Sequence, residues 1–62
     1  YEEALNVLKT ALEKDPNYAE AYRLMGIAQL QMKKDKEACA SFAKAKELGD
    51  PNVDALIEKH CK

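Results

Sequence analysis

Residues 15–17 read Asp-Pro-Asn, and the same three residues return at positions 50–52. Proline lacks a backbone N–H and disfavours helix in the residue before it, while Asp and Asn stabilise turns through their own side chains. Each copy is followed by alanine, leucine and charged residues, a composition that favours helix. The sequence therefore predicts the same kind of joint between helices at two places in the chain.

Length and charge limit what this chain can do. It has 62 residues, of which 47% are hydrophobic and 34% charged, a balance typical of one small folded domain. Ten Lys and Arg against eleven Asp and Glu leave a net charge of −1, without the basic field that nucleic acid or an anionic membrane attracts. No apolar run approaches the roughly 20 residues of a membrane span. We therefore expect neither nucleic acid nor membrane as a partner.

The spacing of apolar residues predicts four helices and no strand. The first covers residues 1–14, where the apolar residues recur every three or four positions. The second is expected over residues 18–32, the third over 36–48, and the last after the second Asp-Pro-Asn, as far as His60.

Three residues are expected to mark helix ends. Asp35 can cap the third helix by accepting a hydrogen bond from an exposed N–H. Gly49 suits the left-handed conformation that closes such a helix. Asp50, followed by a proline in the first turn, is expected to start the fourth helix.

Small side chains predict that the helices pack closely. Ten alanines are spread over the predicted helices, and Gly26 lies in the middle of the second. A glycine there costs about 1 kcal/mol relative to alanine. We therefore expect another helix almost in contact with Gly26, near the lower end of the usual range of interhelical distances.

The chain also repeats itself. At an offset of 34 residues Ala4, Leu8 and Ala11 align with Ala38, Phe42 and Ala45. The first and third helices are therefore copies, and the second and fourth correspond less closely. Two-helix repeats of this length are typical of a solenoid, in which each hairpin buries its apolar face against the next.

In these positions the chain resembles the tetratricopeptide repeat family. The signature residues are Tyr22, Met25, Gly26, Ala38, Phe42, Ala45 and Pro51, with Ala4, Leu8, Ala11 and Pro16 in the same roles in the first half-copy. The chain departs from the pattern at Tyr22, where tryptophan is usual, at Met25, where leucine is usual, and at Gln29, where tyrosine is usual.

The resemblance implies an all-α fold, in which antiparallel helix-turn-helix repeats stack as a short right-handed α-solenoid of about four helices. Residues 1–14 would be the second helix of an incomplete upstream repeat, and residues 15–50 one complete repeat. Residues 51–62 would form a closing helix, and the three parts would make one domain.

The resemblance also implies a protein–protein interaction module whose concave helix surface binds a peptide or protein partner. The second helix has two apolar faces, of which one must pack within the stack. The expected partner-binding groove consists of Glu20, Arg23, Ile27, Leu30 and Gln31. Alternatively, these faces pack on another repeat or on a second copy of the chain. Packing on a second copy would make the protein a homo-oligomeric scaffold.

The sequence shows no pattern for catalysis. Ser41, His60 and the two cysteines form no nucleophile–base arrangement, and there is no glycine-rich phosphate loop. His60 and Cys61 offer at most two of the four ligands of structural zinc, so neither a metal site nor a cofactor is expected. Cys39 and Cys61 are interpreted as a buried and an exposed thiol, with an internal disulfide as the less favoured alternative. The sequence does not identify a compartment, although the cytoplasm is slightly favoured.

Overall fold

The computed structural model describes residues 1–61, and in that range it contains four α-helices and no strand. The helices are α1 (Glu2–Lys14), α2 (Ala19–Gln31), α3 (Asp35–Glu47) and α4 (Val53–His60). Each helix packs against the next along the chain. Because the connections are only three to five residues long, neighbouring helices run antiparallel. The all-α prediction is confirmed; Lys62, the last residue of the expected closing helix, lies outside the described residues.

The two Asp-Pro-Asn joints form the same turn. In the first, Asp15 Oδ1 accepts a hydrogen bond from the Asn17 N–H at 3.2 Å. In the second, Asp50 Oδ1 accepts from the Asn52 N–H at 2.8 Å. The expected start of α4 at Asp50 is wrong, because this turn keeps the chain out of the helix until Val53.

Two helices end in the same way, with one residue in the left-handed conformation. Gly49 follows α3 with φ of 94°, which confirms its predicted role, and Lys33 follows α2 with φ of 63°. At both ends the N–H one residue further on reaches back to a carbonyl of the last turn, as in a Schellman motif. The cap expected from Asp35 is wrong: Asp35 is the first residue of α3, and no side chain caps that helix.

The main core lies between α2, α3 and α4. Its fully buried members are Ala38, Phe42, Ala45 and Val53. Gly26 confirms the predicted close approach, because a Cβ placed on it would lie only 2.6 Å from Cδ1 of Phe42. A second cluster, formed by Leu5, Met25 and Ala28 with their neighbours, joins α1 to α2.

Cys39 and Cys61 form a disulfide, so the expectation of two free thiols is wrong. The antiparallel course of α4 brings its last residues back beside the first half of α3, and the two Cα atoms lie 5.7 Å apart. Repeat geometry predicts Cys61 on the side turned to a following unit, and this prediction is wrong because Cys61 faces α3. The bridge fastens the end of α4 to α3.

Candidate protein-binding groove

An apolar groove runs between α1 and α2, with a volume of about 440 Å³. Its walls come from residues spaced three or four apart on the two helices. The α1–α2 groove is lined by Tyr1, Ala4, Val7, Leu8, Leu24, Ile27, Ala28 and Gln31. Apart from the Tyr1 hydroxyl, Gln31 supplies the only polar side-chain group among them.

The groove exists because α1 has apolar residues on two sides. One side, with Leu5, packs into the cluster that holds α1 on α2. The other side carries Tyr1 and Val7, which remain 68% and 67% exposed. With Leu24 of α2, also exposed, they form a continuous apolar strip, and contiguous strips of this kind usually mark interaction sites.

The repeat shows which part of the fold would cover this strip. On α3 the signature residues Ala38 and Phe42 are fully buried in the core that α2 and α4 form with α3, and Phe42 lies against Gly26 of α2. Their copies on α1 are Ala4, which is exposed, and Leu8, which is only half-buried. Within residues 1–61 no helix lies across α1 in the way that α2 lies across α3. The α1–α2 groove therefore corresponds to the place that α2 occupies on the following helix.

The five residues expected to bind a partner do not all meet in this groove. Ile27 and Gln31 line it. Leu30 is half-buried and packs against the main core. Glu20 and Arg23 lie towards the start of α2 and are not part of the lining.

Arg23 takes part in an ion pair within the fold. Its Nε donates to Asp50 Oδ2 at 2.7 Å, and the Asp50 side chain is only 5% exposed. A second guanidinium nitrogen lies 3.7 Å from Glu20, whose side chain is 55% exposed. Arg23 therefore ties α2 to the second Asp-Pro-Asn turn, a role that its place on the helix did not reveal.

Gln29 also has a partner in the fold. The Ser41 hydroxyl, in the interface between α2 and α3, donates to Gln29 Oε1 at 2.6 Å. Ser41 is buried, so this hydrogen bond satisfies a polar group that would otherwise lack one. The pair gives a physical reason for glutamine where the repeat pattern has tyrosine.

Sequence reasoning missed the other six lining residues as parts of the site, namely Tyr1, Ala4, Val7, Leu8, Leu24 and Ala28. A signal was present in α1, where Tyr1, Ala4 and Leu8 follow helical spacing. The groove depends on α1 and α2 together, and the surface of α2 alone does not reveal it.

Another cleft in the described residues is smaller and more polar than the α1–α2 groove. Its volume is about 210 Å³, and it lies near the start of α1, beside Glu2, Lys9 and Lys34. Among residues 1–61 no three His, Cys, Asp or Glu side chains are grouped to hold a metal ion. Over the same range, every helix falls short of the length and hydrophobicity that crossing a membrane requires.

Antiparallel helix pairs in which α3 repeats the pattern of α1 define a helical-repeat protein. A family model described as TPR repeat matches residues 1–33, just over half of the chain. The chain belongs to the tetratricopeptide repeat family. The match covers α1, the first Asp-Pro-Asn turn and α2, which are the elements that form the groove.

No curated protein and no solved structure matches the chain significantly. The family assignment therefore rests on the family model, and the fold agrees with it. Members of the family are generally protein–protein interaction modules and typically have no enzymatic activity.

Proposed function

We propose that this chain is a protein-interaction module that binds a partner polypeptide in the α1–α2 groove. The supporting observation is the exposed apolar strip of Tyr1, Val7 and Leu24 along a concave surface. Covering such a strip releases about 25 cal/mol for each Å² of apolar surface removed from water. Binding of a partner in the groove is therefore favourable, because it covers apolar surface that the folded chain leaves exposed to water.

The residues expected from the sequence contribute to this surface in different ways. Ile27 and Gln31 contact the partner directly, and Gln31 offers it a hydrogen bond at one end of the groove. Glu20 extends the surface with an exposed carboxylate at the start of α2. Arg23 and Leu30 support α2 from the core side, through Asp50 and the main core respectively.

The proposal is tested with peptides selected from a random display library against the unmodified chain. Val7→Asp places a charge in the groove, and the exposure of Val7 lets the fold tolerate it. The matched control is Ala43→Asp, an exposed position on α3 outside the groove. Selected peptides should bind Ala43→Asp normally and Val7→Asp about ten-fold more weakly or worse. Equal binding to both variants would contradict the proposal.

Self-association is the second candidate, since the same apolar strip could meet its copy on another chain. Sedimentation over a concentration series distinguishes the two functions. A dimer that Val7→Asp dissociates, while Ala43→Asp does not, would favour the scaffold role. If the chain remains monomeric at high concentration, the scaffold role is wrong.

A further inference from the structure

We propose that the Cys39–Cys61 disulfide is a reversible redox site, and that its reduction by a dithiol releases the second half of α4 from α3. The inference does not depend on the α1–α2 groove, since neither cysteine lines it. It rests on the exposure of the bridge, on the shortness of α4 and on separate contacts that hold the start of that helix.

The bridge can be reached by a reagent in solution. Cys39 and Cys61 are only half-buried, whereas Ala38 and Phe42 of the neighbouring core are fully buried. A disulfide is reduced when a thiolate attacks one of its sulfur atoms directly, so the rate of reduction depends on access to that atom. A dithiol can therefore attack the bridge while the chain remains folded.

The chemical step is a thiol–disulfide exchange between the chain and the dithiol. One thiolate of the dithiol attacks a sulfur atom of the bridge, the S–S bond between Cys39 and Cys61 breaks, and a mixed disulfide forms. The second thiol of the reductant then attacks this mixed disulfide and releases the chain. The two cysteines gain two electrons and two protons and become thiols, while the reductant loses them and becomes a disulfide.

The two halves of α4 are held by different contacts. At its start Val53 is fully buried in the main core, and Asp50, in the preceding turn, pairs with Arg23 of α2. In the second half Leu56 and Ile57 are only half-buried, and the bridge follows them. A helix of eight residues is marginal in water on its own. Reduction therefore leaves the start of α4 attached and frees its end.

The first part of the experiment asks whether the bridge opens in the folded chain. The unmodified chain is treated with dithiothreitol at increasing urea concentrations, and the thiols formed are alkylated and counted by mass spectrometry. The rate of reduction should change by no more than about two-fold over the urea concentrations at which the chain stays folded, because attack needs only local access. A rate that rises with urea in proportion to the unfolded population would overturn the inference.

The second part locates the released segment by NMR. On reduction the Cα chemical shifts of residues 56–60 should lose about half or more of their displacement towards helical values, while those of α1 to α3 keep theirs. Glutathione disulfide should then restore the original spectrum. The matched control is Cys61→Ser, which should show the shifts of the reduced chain without reductant and should not respond to dithiothreitol.

Three results of the NMR experiment would overturn the inference. If residues 56–60 remain helical after reduction, the bridge does not hold the end of α4. If α1 to α3 lose their helical shifts as well, reduction unfolds the chain and α4 is not released separately. If glutathione disulfide does not restore the spectrum, the site is not reversible.

Discussion

At the scale of single residues, Gly26 determines how closely α2 approaches α3. Gly26→Ala would place a Cβ 2.6 Å from Cδ1 of Phe42, whose ring is fully buried. The overlap costs about 1–3 kcal/mol, against the roughly 1 kcal/mol that alanine gains in helix propensity. We expect the free energy of unfolding to fall, as measured by urea denaturation followed by circular dichroism.

The control for this substitution is made at Phe42. Phe42→Leu removes the atoms that the new methyl group would meet, so Gly26→Ala should be less costly in that background. If Gly26→Ala stabilises the unmodified chain, the close approach of α2 and α3 is wrong.

Arg23 and Glu20 should differ sharply in their contribution to stability. Arg23→Met leaves the buried Asp50 carboxylate without its cation, which should cost about 2 kcal/mol or more. Glu20→Gln removes only an exposed partner 3.7 Å away, and its effect should stay within about 0.5 kcal/mol. Thermal unfolding of both variants measures the difference. Equally small effects would mean that the Arg23–Asp50 pair does not stabilise the fold.

At the scale of elements, α4 depends on its attachments. A helix of eight residues has little stability of its own, and the disulfide holds its end on α3. Opening that bridge frees a loop of 22 residues and should cost about 3 kcal/mol of unfolding free energy. Thermal melts with and without dithiothreitol measure this.

Cys61→Ser provides the control for the reductant. This variant should melt at the lower temperature without reductant, and dithiothreitol should lower its melting temperature no further. If dithiothreitol does not change the melting temperature of the unmodified chain, the disulfide does not stabilise the packing of α4 on α3.

The helices themselves could be predicted from sequence because their apolar spacing is local information. The boundaries of α1 to α3 fall within one residue of the expected ones. The start of α4 could not be predicted, since an Asp-Pro-Asn sequence can begin a helix or form a separate turn. The Cys39–Cys61 bridge was also missed, because it depends on how α4 lies along α3 in space.

The candidate site could be predicted only in part, for a related reason. Ile27 and Gln31 were found because helical spacing alone places both on the second apolar face of α2. Val7 was missed because its role depends on α1 and α2 together. The partner of Arg23 lies 27 residues away in a turn, and helical spacing gives no information about such a contact.

At the scale of the whole molecule, α1 and α3 are copies that differ in how far they are covered. Ala38 is fully buried in the core between α2, α3 and α4, and its copy Ala4 is exposed in the groove. Ala38→Leu should therefore cost about 1–3 kcal/mol through overpacking, while Ala4→Leu should be nearly neutral. Urea denaturation of the two variants compares the same substitution at equivalent positions. If both substitutions lower the free energy of unfolding equally, α1 is already covered. If neither lowers it, α3 is not covered.

The most direct test of the whole account is an NMR titration of the isotope-labelled chain with a peptide selected against it. If the partner binds in the α1–α2 groove, the chemical shifts of Val7, Ile27 and Gln31 should change as the peptide is added, because these residues line the groove. The amide of Ala43, an exposed residue of α3 outside the groove, should keep its chemical shift. Shift changes confined to α3 and α4 would contradict the account.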